Sequence, residues 1–125
     1  MSSRPFKFTT LNTTNLRQVS DQGSVLKSLF ALNTTANEYF IKFYWWRPTV
    51  AAPTPTVGTS VPDLTIMCPP FVEAVFGLPG FVSHSWPDGV VKNDGQLFVA
   101  VTGAAGDSDT TAVAAGQGII NLALD

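Results

Sequence analysis

Apolar and polar side chains alternate with a period of two along much of this sequence. The alternation is clearest in Gln96–Thr102, where Leu97, Val99 and Val101 face one way, and in Gly118–Leu124. A period of two is typical of a β-strand with one buried face. No long window repeats apolar residues at the 3.6-residue period of a helix, and glycine, proline and asparagine separate the alternating segments. The pattern therefore predicts an all-β chain.

The segment Glu38–Trp46 carries aromatic residues on both of its faces. One face holds Tyr39, Ile41, Phe43 and Trp45, and the other holds Phe40, Lys42, Tyr44 and Trp46. We therefore expect a central strand, with one face in the core and the other covered by a loop or a neighbour. A short polar turn separates this strand from Ser24–Asn33, which is also predicted to be a strand, so the two are expected to form a hairpin.

Short strands and loops alternate in the rest of the chain. Further strands are predicted at Pro5–Thr10, Asn15–Ser20, Asp63–Cys68 and Phe81–Trp86. The last of these is expected to end in a Pro87–Asp88–Gly89 turn, and Lys92–Gly95 predicts another turn. The proline-rich segment Arg47–Pro62 and the small, polar segment Gly103–Gly116 predict long surface loops. Phe71–Gly80 is compatible with one helical turn or with a short strand.

The spacing of these strands predicts the fold class. Short strands at regular intervals, joined by turn residues, favour an antiparallel β-sandwich with a jelly-roll or immunoglobulin-like layout. A length of 125 residues is that of one domain. We divide the chain into residues 1–22, an N-terminal arm with the first strand or strands, and residues 23–125, a single β-sandwich domain.

The charge content of the chain is unusually low. Charged residues make up 13% of the sequence, against about 25% in an average domain. A surface so poor in charge is either dominated by threonine, serine and asparagine or partly covered by another protein. The basic residues are scattered, so no nucleic-acid partner is expected. No apolar run approaches the roughly 20 residues of a membrane helix, so no membrane partner is expected either.

The residues that carry chemistry do not form a recognisable catalytic or metal site. His84 is the only histidine, and the serines on either side of it would point to the opposite face of a strand. Cys68 precedes two prolines and has no basic neighbour, which favours a buried, unreactive thiol. Asp107 and Asp109 lack the further oxygen ligands that Ca²⁺ needs, and such aspartates more often cap loop amides. We therefore expect no enzyme activity, no metal and no cofactor.

The aromatic cluster Tyr44–Arg47 has two interpretations. It is either a platform for a sugar or a protein partner, with Arg47 stacked on a ring, or a core strand whose outer face is covered by the proline-rich segment. We assign Tyr39, Phe43 and Trp45 to the core. Both interpretations remain open for Trp46 and Arg47, at the end of the strand.

Several blocks of the sequence resemble small virion structural proteins of tailed bacteriophages. The blocks are Ser28–Tyr44, Ala52–Ile66, Asp88–Val90 and Val99–Val113, and their order follows the family pattern, whereas the segments Trp45–Ala51 and Cys68–Trp86 are longer than in that pattern. The most specific part is the run Thr-Gly-Ala-Ala-Gly-Asp-Ser-Asp-Thr at residues 102–110. The resemblance implies a capsid decoration (cement) protein or a tail component, and it transfers no catalytic residue.

These observations together predict a non-enzymatic protein that decorates and stabilises a phage capsid. The expected partners are the major capsid protein and further copies of this chain, and the resemblance implies that these copies form a homotrimer. The expected location is the virion, after synthesis in the host cytoplasm. The alternative is a tail-fibre or baseplate module that binds a host-surface carbohydrate or a neighbouring tail protein. The residues expected at the partner interface are Arg4, Phe6, Phe8, Trp46 and Arg47.

Overall fold

The chain folds into eight β-strands. The structure, a computed structural model, describes residues 4–9, 16–20, 25–71, 80–90, 95–114 and 116–124, and these contain no helix. The strands are β1 (Arg4–Thr9), β2 (Arg17–Ser20), β3 (Leu26–Asn33), β4 (Tyr39–Trp46), β5 (Leu64–Cys68), β6 (Gly80–Val90), β7 (Gln96–Thr102) and β8 (Gly118–Leu124). None of the described residues forms a helix long and apolar enough to cross a membrane.

The strands form two four-stranded antiparallel sheets. The first sheet has the order β1-β8-β3-β6, and the second has the order β2-β7-β4-β5. This is the strand order of the eight-stranded jelly roll, and it differs from the immunoglobulin arrangement, in which the first two strands are neighbours in one sheet. The predicted antiparallel β-sandwich is thus confirmed, and the strand order selects the jelly-roll layout.

The inner faces of the two sheets enclose one hydrophobic core. The first sheet contributes Leu29, Ala31, Ile120 and Leu122, and the second contributes Ile41, Phe43, Val99 and Val101, all buried. Each large apolar side chain buried in this way contributes about 1.5–3 kcal/mol before the entropy cost of ordering it. The bounds predicted for β7 and β8 from alternation coincide with the observed strands.

The prediction that Glu38–Trp46 forms a central strand is confirmed. β4 lies between β7 and β5 in the second sheet. Tyr39, Phe43 and Trp45 belong to the core, as expected. The opposite face of β4, which carries Lys42 and Tyr44, points away from the first sheet and is buried as well.

The predicted hairpin between Ser24–Asn33 and Glu38–Trp46 is wrong. β3 pairs with β6 and β8, whereas β4 pairs with β5 and β7 in the other sheet. Asn33 shapes the crossing: its Oδ1 accepts from the Thr35 amide at 3.0 Å, and its Nδ2 donates to the Asn37 carbonyl at 2.7 Å. The short polar segment therefore connects β3 in the first sheet to β4 in the second sheet. Each of the two strands turns an apolar face to the core between the sheets.

The predicted turn at Pro87–Asp88–Gly89 does not end a strand. β6 continues to Val90, and the register with β3 shifts between Ser85 and Val90, so several β6 residues lie opposite Lys27 in a bulge. Lys27 Nζ donates to the Pro87 carbonyl at 3.0 Å across it. The turn-forming residues thus produce a bulge within the strand instead of a chain reversal.

Two further predictions from the sequence fall largely outside the described residues. Residues 72–79 of the Phe71–Gly80 segment and residues 92–94 of the Lys92–Gly95 turn are not described.

Candidate interaction surfaces

Two loops cover the outer face of β4 and β7 in the second sheet. The proline-rich loop (residues 47–63) joins β4 to β5, and the long loop (residues 103–117) joins β7 to β8. Beneath them lies a second buried cluster of Tyr44, Phe98 and Ala100, against which Leu16, Trp46 and Val57 pack. The prediction that a proline-rich segment covers this face of β4 is confirmed.

Lys42 ties the long loop to the sheet. Its side chain is completely buried, and its Nζ donates to the Gly106 carbonyl at 2.6 Å and to the Asp109 carbonyl at 3.4 Å. Burial lowers the pKa of the Lys42 amine, while the nearby Asp109 and Asp107 carboxylates oppose that shift. The proline-rich loop contacts the long loop beside this point. The two loops lie so close together that a Cβ atom on Gly58 would overlap the Thr110 side chain.

Asp109 organises the long loop from within. Its Oδ2 accepts from the amides of Ala104 and Thr111, both at 3.1 Å, and its Oδ1 accepts from the Thr111 hydroxyl at 2.6 Å. The Thr111 hydroxyl bond is the main reason why the pKa of Asp109 lies below its usual value. The carboxylate thus caps loop amides, as the sequence predicted. Among the described residues, no group of three or more histidine, cysteine or acidic side chains is placed to hold a metal ion.

The hydroxyl of Tyr44 is buried beneath these loops without a hydrogen-bond partner. The side chain is 1% exposed, and burial raises its pKa. Tyr39, on the core face of the same strand, differs because its hydroxyl donates to the Leu32 carbonyl at 2.8 Å. An unpartnered buried hydroxyl lowers the free energy of unfolding by about 1–3 kcal/mol, so the Tyr44 hydroxyl destabilises the second sheet.

On the outer face of the first sheet, the described residues expose a group of apolar side chains. Phe30 and Phe81 are 41% and 51% exposed, and their rings stack with centroids 6.0 Å apart. Leu32 pairs with both Phe81 and Ile119, so the apolar side chains of three adjacent strands meet in one area. The two buried clusters of the described chain are the core and the outer side of the second sheet, and neither includes these residues. We call this area, formed by Phe30, Leu32, Phe81 and Ile119, the uncovered face.

The structure places the predicted interface residues at two separate positions. Arg4 and Phe8 lie in β1, where they pair with Leu124 and Ile120, and the description does not extend to their side chains. Phe6, between them, packs against the core. The N-terminal segment is therefore an edge strand of the first sheet over Arg4–Thr9, and its role in partner binding stays a prediction.

Trp46 and Arg47 lie at the opposite side of the sandwich, at the end of β4. The indole Nε1 of Trp46 donates to the Ala52 carbonyl at 3.0 Å, and its ring packs beside Tyr44 and Phe98. Arg47 is exposed. The interpretation with a covering loop therefore applies to Trp46. Of the two residues, Arg47 is the exposed one.

His84 and Cys68 occupy very different environments. His84 is exposed at the edge strand β6, where its ring stacks on Trp86 with centroids 5.5 Å apart. Cys68 is completely buried, and burial raises the pKa of its thiol. The prediction of a buried Cys68 is confirmed.

A shallow cleft lies at the end of the sandwich where the β3–β4 crossing meets the long loop. Its volume is about 270 Å³, and its walls include Asn37, Glu38, Thr111 and Gln117. Glu38 is the one ionisable side chain among its lining residues. Glu38 is therefore the one general acid or base that the described lining residues of the cleft offer.

Sequence reasoning missed the uncovered face. In the predicted strand Ser24–Asn33, alternation puts Leu29 and Ala31 on one face, and it puts Phe30 and Leu32 on the other. That signal was present in β3, but the contribution of Phe81 depends on the pairing of β3 with β6, which are about 50 residues apart in sequence. Comparison with known proteins adds no assignment: no family model, no curated protein and no solved structure matches this chain.

Proposed function

We propose that this protein is a non-enzymatic structural protein of a phage virion, which decorates and stabilises the capsid as an oligomer. The observation that carries the proposal is the contrast between the two sheets. The protein's own loops cover β4 and β7 of the second sheet and leave Met67 exposed on the edge strand β5, whereas the first sheet exposes Phe30 and Phe81 as a stacked pair on two adjacent strands. Exposed apolar patches of this kind are typical of surfaces that bind another protein.

The fold and the sequence resemblance support the same function. Eight-stranded jelly rolls are common in viral capsid proteins and in lectins, although fold alone does not determine function. The resemblance of residues 28–113 to phage virion proteins favours the capsid over the lectin class. The major capsid protein is the expected partner, and a homotrimer is the expected oligomer.

The environments of the reactive groups favour a structural role. Lys42 and Asp109 are engaged in holding the long loop, and Cys68 is buried with a raised pKa. A nucleophile or general base needs access to substrate and a suitable pKa, and neither the thiol nor the amine has both here.

A carbohydrate-binding role has less support. A platform for a sugar or a protein partner was one of two interpretations left open for Trp46, but its indole N–H donates to the Ala52 carbonyl and its ring packs against the second cluster. We therefore retain the capsid protein as the proposed partner.

The copy number of the protein in purified particles tests this proposal. A decoration protein is expected in a fixed ratio to the major capsid protein, whereas a tail or baseplate component occurs in only a few copies. Quantitative gel densitometry against the major capsid band measures this ratio, with a known tail protein as the control. A ratio like that of the tail protein, or absence from the particle, would contradict the proposal.

A further inference from the structure

The register of the four strands places the side chains of the uncovered face in rows across the first sheet. One row contains Ile119, Leu32 and Phe81, and the next contains Lys7, Asn121, Phe30 and Ser83. A third row contains Pro5, Ala123, Ser28 and Ser85. Among these described positions, Lys7 is the only charged one, and it lies on the edge strand β1. The face is therefore apolar at its centre, rich in hydroxyl groups towards β6, and positive at one edge.

The size of this face limits what it can bind by itself. Four strands about 4.8 Å apart and seven residues long, at about 3.4 Å per residue, give an area of roughly 450 Å². Two copies stacked through it would bury about 900 Å², slightly less than the roughly 1,000 Å² expected for a stable pair. One such contact is weak, but an oligomer that presents several of these faces to one surface gains affinity through avidity.

The charge on the face argues against a second copy as its occupant. In a face-to-face pair, the three rows described above would offer no carboxylate to the exposed Lys7 of either copy, and the exposed Asp88 lies beyond the third row, in the β6 bulge. A protein surface with an apolar centre and a carboxylate at its rim would satisfy both the phenylalanine pair and the ammonium group.

We propose that the uncovered face is the surface through which this protein docks on the capsid, and that the capsid site is an apolar patch with a carboxylate opposite Lys7. This inference rests on the proposed function, because it takes the capsid protein as the partner. It places the contact on the first sheet and not at Trp46 and Arg47, so the loop-covered second sheet points away from the shell.

Binding to empty capsid shells that were assembled without this protein tests the inference. The double substitution Phe30→Thr with Phe81→Thr removes the apolar centre but keeps residues that favour a strand. We expect about a tenfold or greater loss of affinity in co-sedimentation. Met67→Thr is the matched control, because Met67 is 50% exposed on the other sheet, and it should change affinity less than about twofold.

A second pair of variants tests the charge. Lys7→Glu should weaken binding several-fold, and added salt should then strengthen binding where it weakened it before, because the substitution places a carboxylate against a carboxylate. Arg47→Glu makes the same change of charge beside the second sheet and should leave binding unaltered. Circular dichroism and thermal unfolding of each variant show whether it has kept its fold.

The outcomes separate the two proposals. If the unmodified protein does not bind the shells at all, the proposed function is wrong. If it binds and the phenylalanine variant binds equally well, or if Arg47→Glu alone weakens binding, the function stands and the docking face is wrong. If sedimentation shows that the phenylalanine variant loses its oligomeric state, the face is covered by a second copy, and the inference is overturned.

Discussion

At the scale of single residues, the two tyrosines of the chain form a natural comparison. Both are buried in β4, but the Tyr39 hydroxyl donates to Leu32 at 2.8 Å while the Tyr44 hydroxyl has no partner. Removing an unpartnered buried hydroxyl relieves a desolvation cost, whereas removing a bonded one leaves a carbonyl unsatisfied.

We therefore expect Tyr44→Phe and Tyr39→Phe to have opposite effects on stability. Tyr44→Phe should leave the free energy of unfolding unchanged or raise it by up to about 1 kcal/mol, and Tyr39→Phe should lower it by about 1–2 kcal/mol. Urea denaturation followed by tryptophan fluorescence measures both values. Equal losses in the two variants would show that the Tyr44 hydroxyl does have a partner in solution.

At the scale of elements, the bulge in β6 depends on one glycine. Gly89 has a φ of +79°, and a Cβ there would overlap the Val25 side chain. Gly116 has a φ of +73° in the long loop, but a Cβ there would have no neighbour within 4 Å. The two positions separate the effect of backbone strain from the effect of a steric clash.

Substituting alanine at these two glycines tests that difference. Gly116→Ala should cost about 1 kcal/mol, from the left-handed backbone alone. Gly89→Ala should cost about 2–4 kcal/mol, because Val25 and the bulge must also shift. Thermal unfolding of both variants provides the measurement. A Gly89→Ala cost no larger than that of Gly116→Ala would mean that the bulge adapts freely.

The long loop is expected to loosen in acid. The pKa of Asp109 is lowered mainly by the Thr111 hydroxyl bond, so the carboxylate contributes stability above its unfolded pKa of about 3.8. That contribution is lost as the pH falls through the lower, folded pKa. Hydrogen exchange at the Ala104 and Thr111 amides should then accelerate, relative to the general pH dependence of exchange in β7. Asp109→Asn should show the faster exchange already at neutral pH, and unchanged exchange in that variant would contradict the role assigned to the carboxylate.

The strands themselves were largely predictable, but their partners were not. Alternation located β5, β7 and β8 closely, because each has one face in the core. The Asn33–Asn37 segment predicted a hairpin, since a short polar connection between two strands is compatible with either pairing or crossing to another sheet. Which of the two occurs depends on contacts with β6 and β8, and no local pattern encodes them.

At the scale of the whole molecule, the sequence predicted the fold class, but it did not predict the location of the proposed interaction surface. Low charge was compatible with a surface that is partly covered by another protein, but it gave no location for such a contact. The predicted residues Trp46 and Arg47 were chosen because aromatic residues cluster there, and most of that cluster proved to be internal packing. The uncovered face became visible only when the register brought Phe30 beside Phe81.

The burial of both tyrosines predicts how the whole protein responds to alkali. The pKa values of Tyr39, Tyr44 and Cys68 are raised by burial, so their contribution to stability is complete below their unfolded values, near 10 for tyrosine and 9 for cysteine. It is lost as the pH rises towards the folded values. Lys42 has the opposite effect on stability, because its pKa is lowered from 10.5. Its burial destabilises the folded protein at lower pH, and this effect ends near pH 10.5.

We therefore expect the folded protein to show almost no tyrosinate absorbance near pH 10, where an exposed tyrosine is half ionised. The absorbance should rise at higher pH together with the loss of the near-ultraviolet circular dichroism signal, because ionisation requires unfolding. The control is the protein in concentrated urea, which should titrate near pH 10. Reversible ionisation near pH 10 without unfolding would contradict the burial of the two side chains.

The strand order also determines when the molecule can fold during its synthesis. β1 pairs only with β8, and β2 pairs only with β7, so the first two strands find their neighbours only after the last two have been made. A nascent chain on the ribosome therefore carries unpaired strands until almost all of the domain has emerged. Pairing strands so distant in sequence is intrinsically slow. We expect the first sheet to remain incomplete until β8 has left the ribosome and the second until β7 has done so, and the nascent chain to be prone to aggregation in that interval.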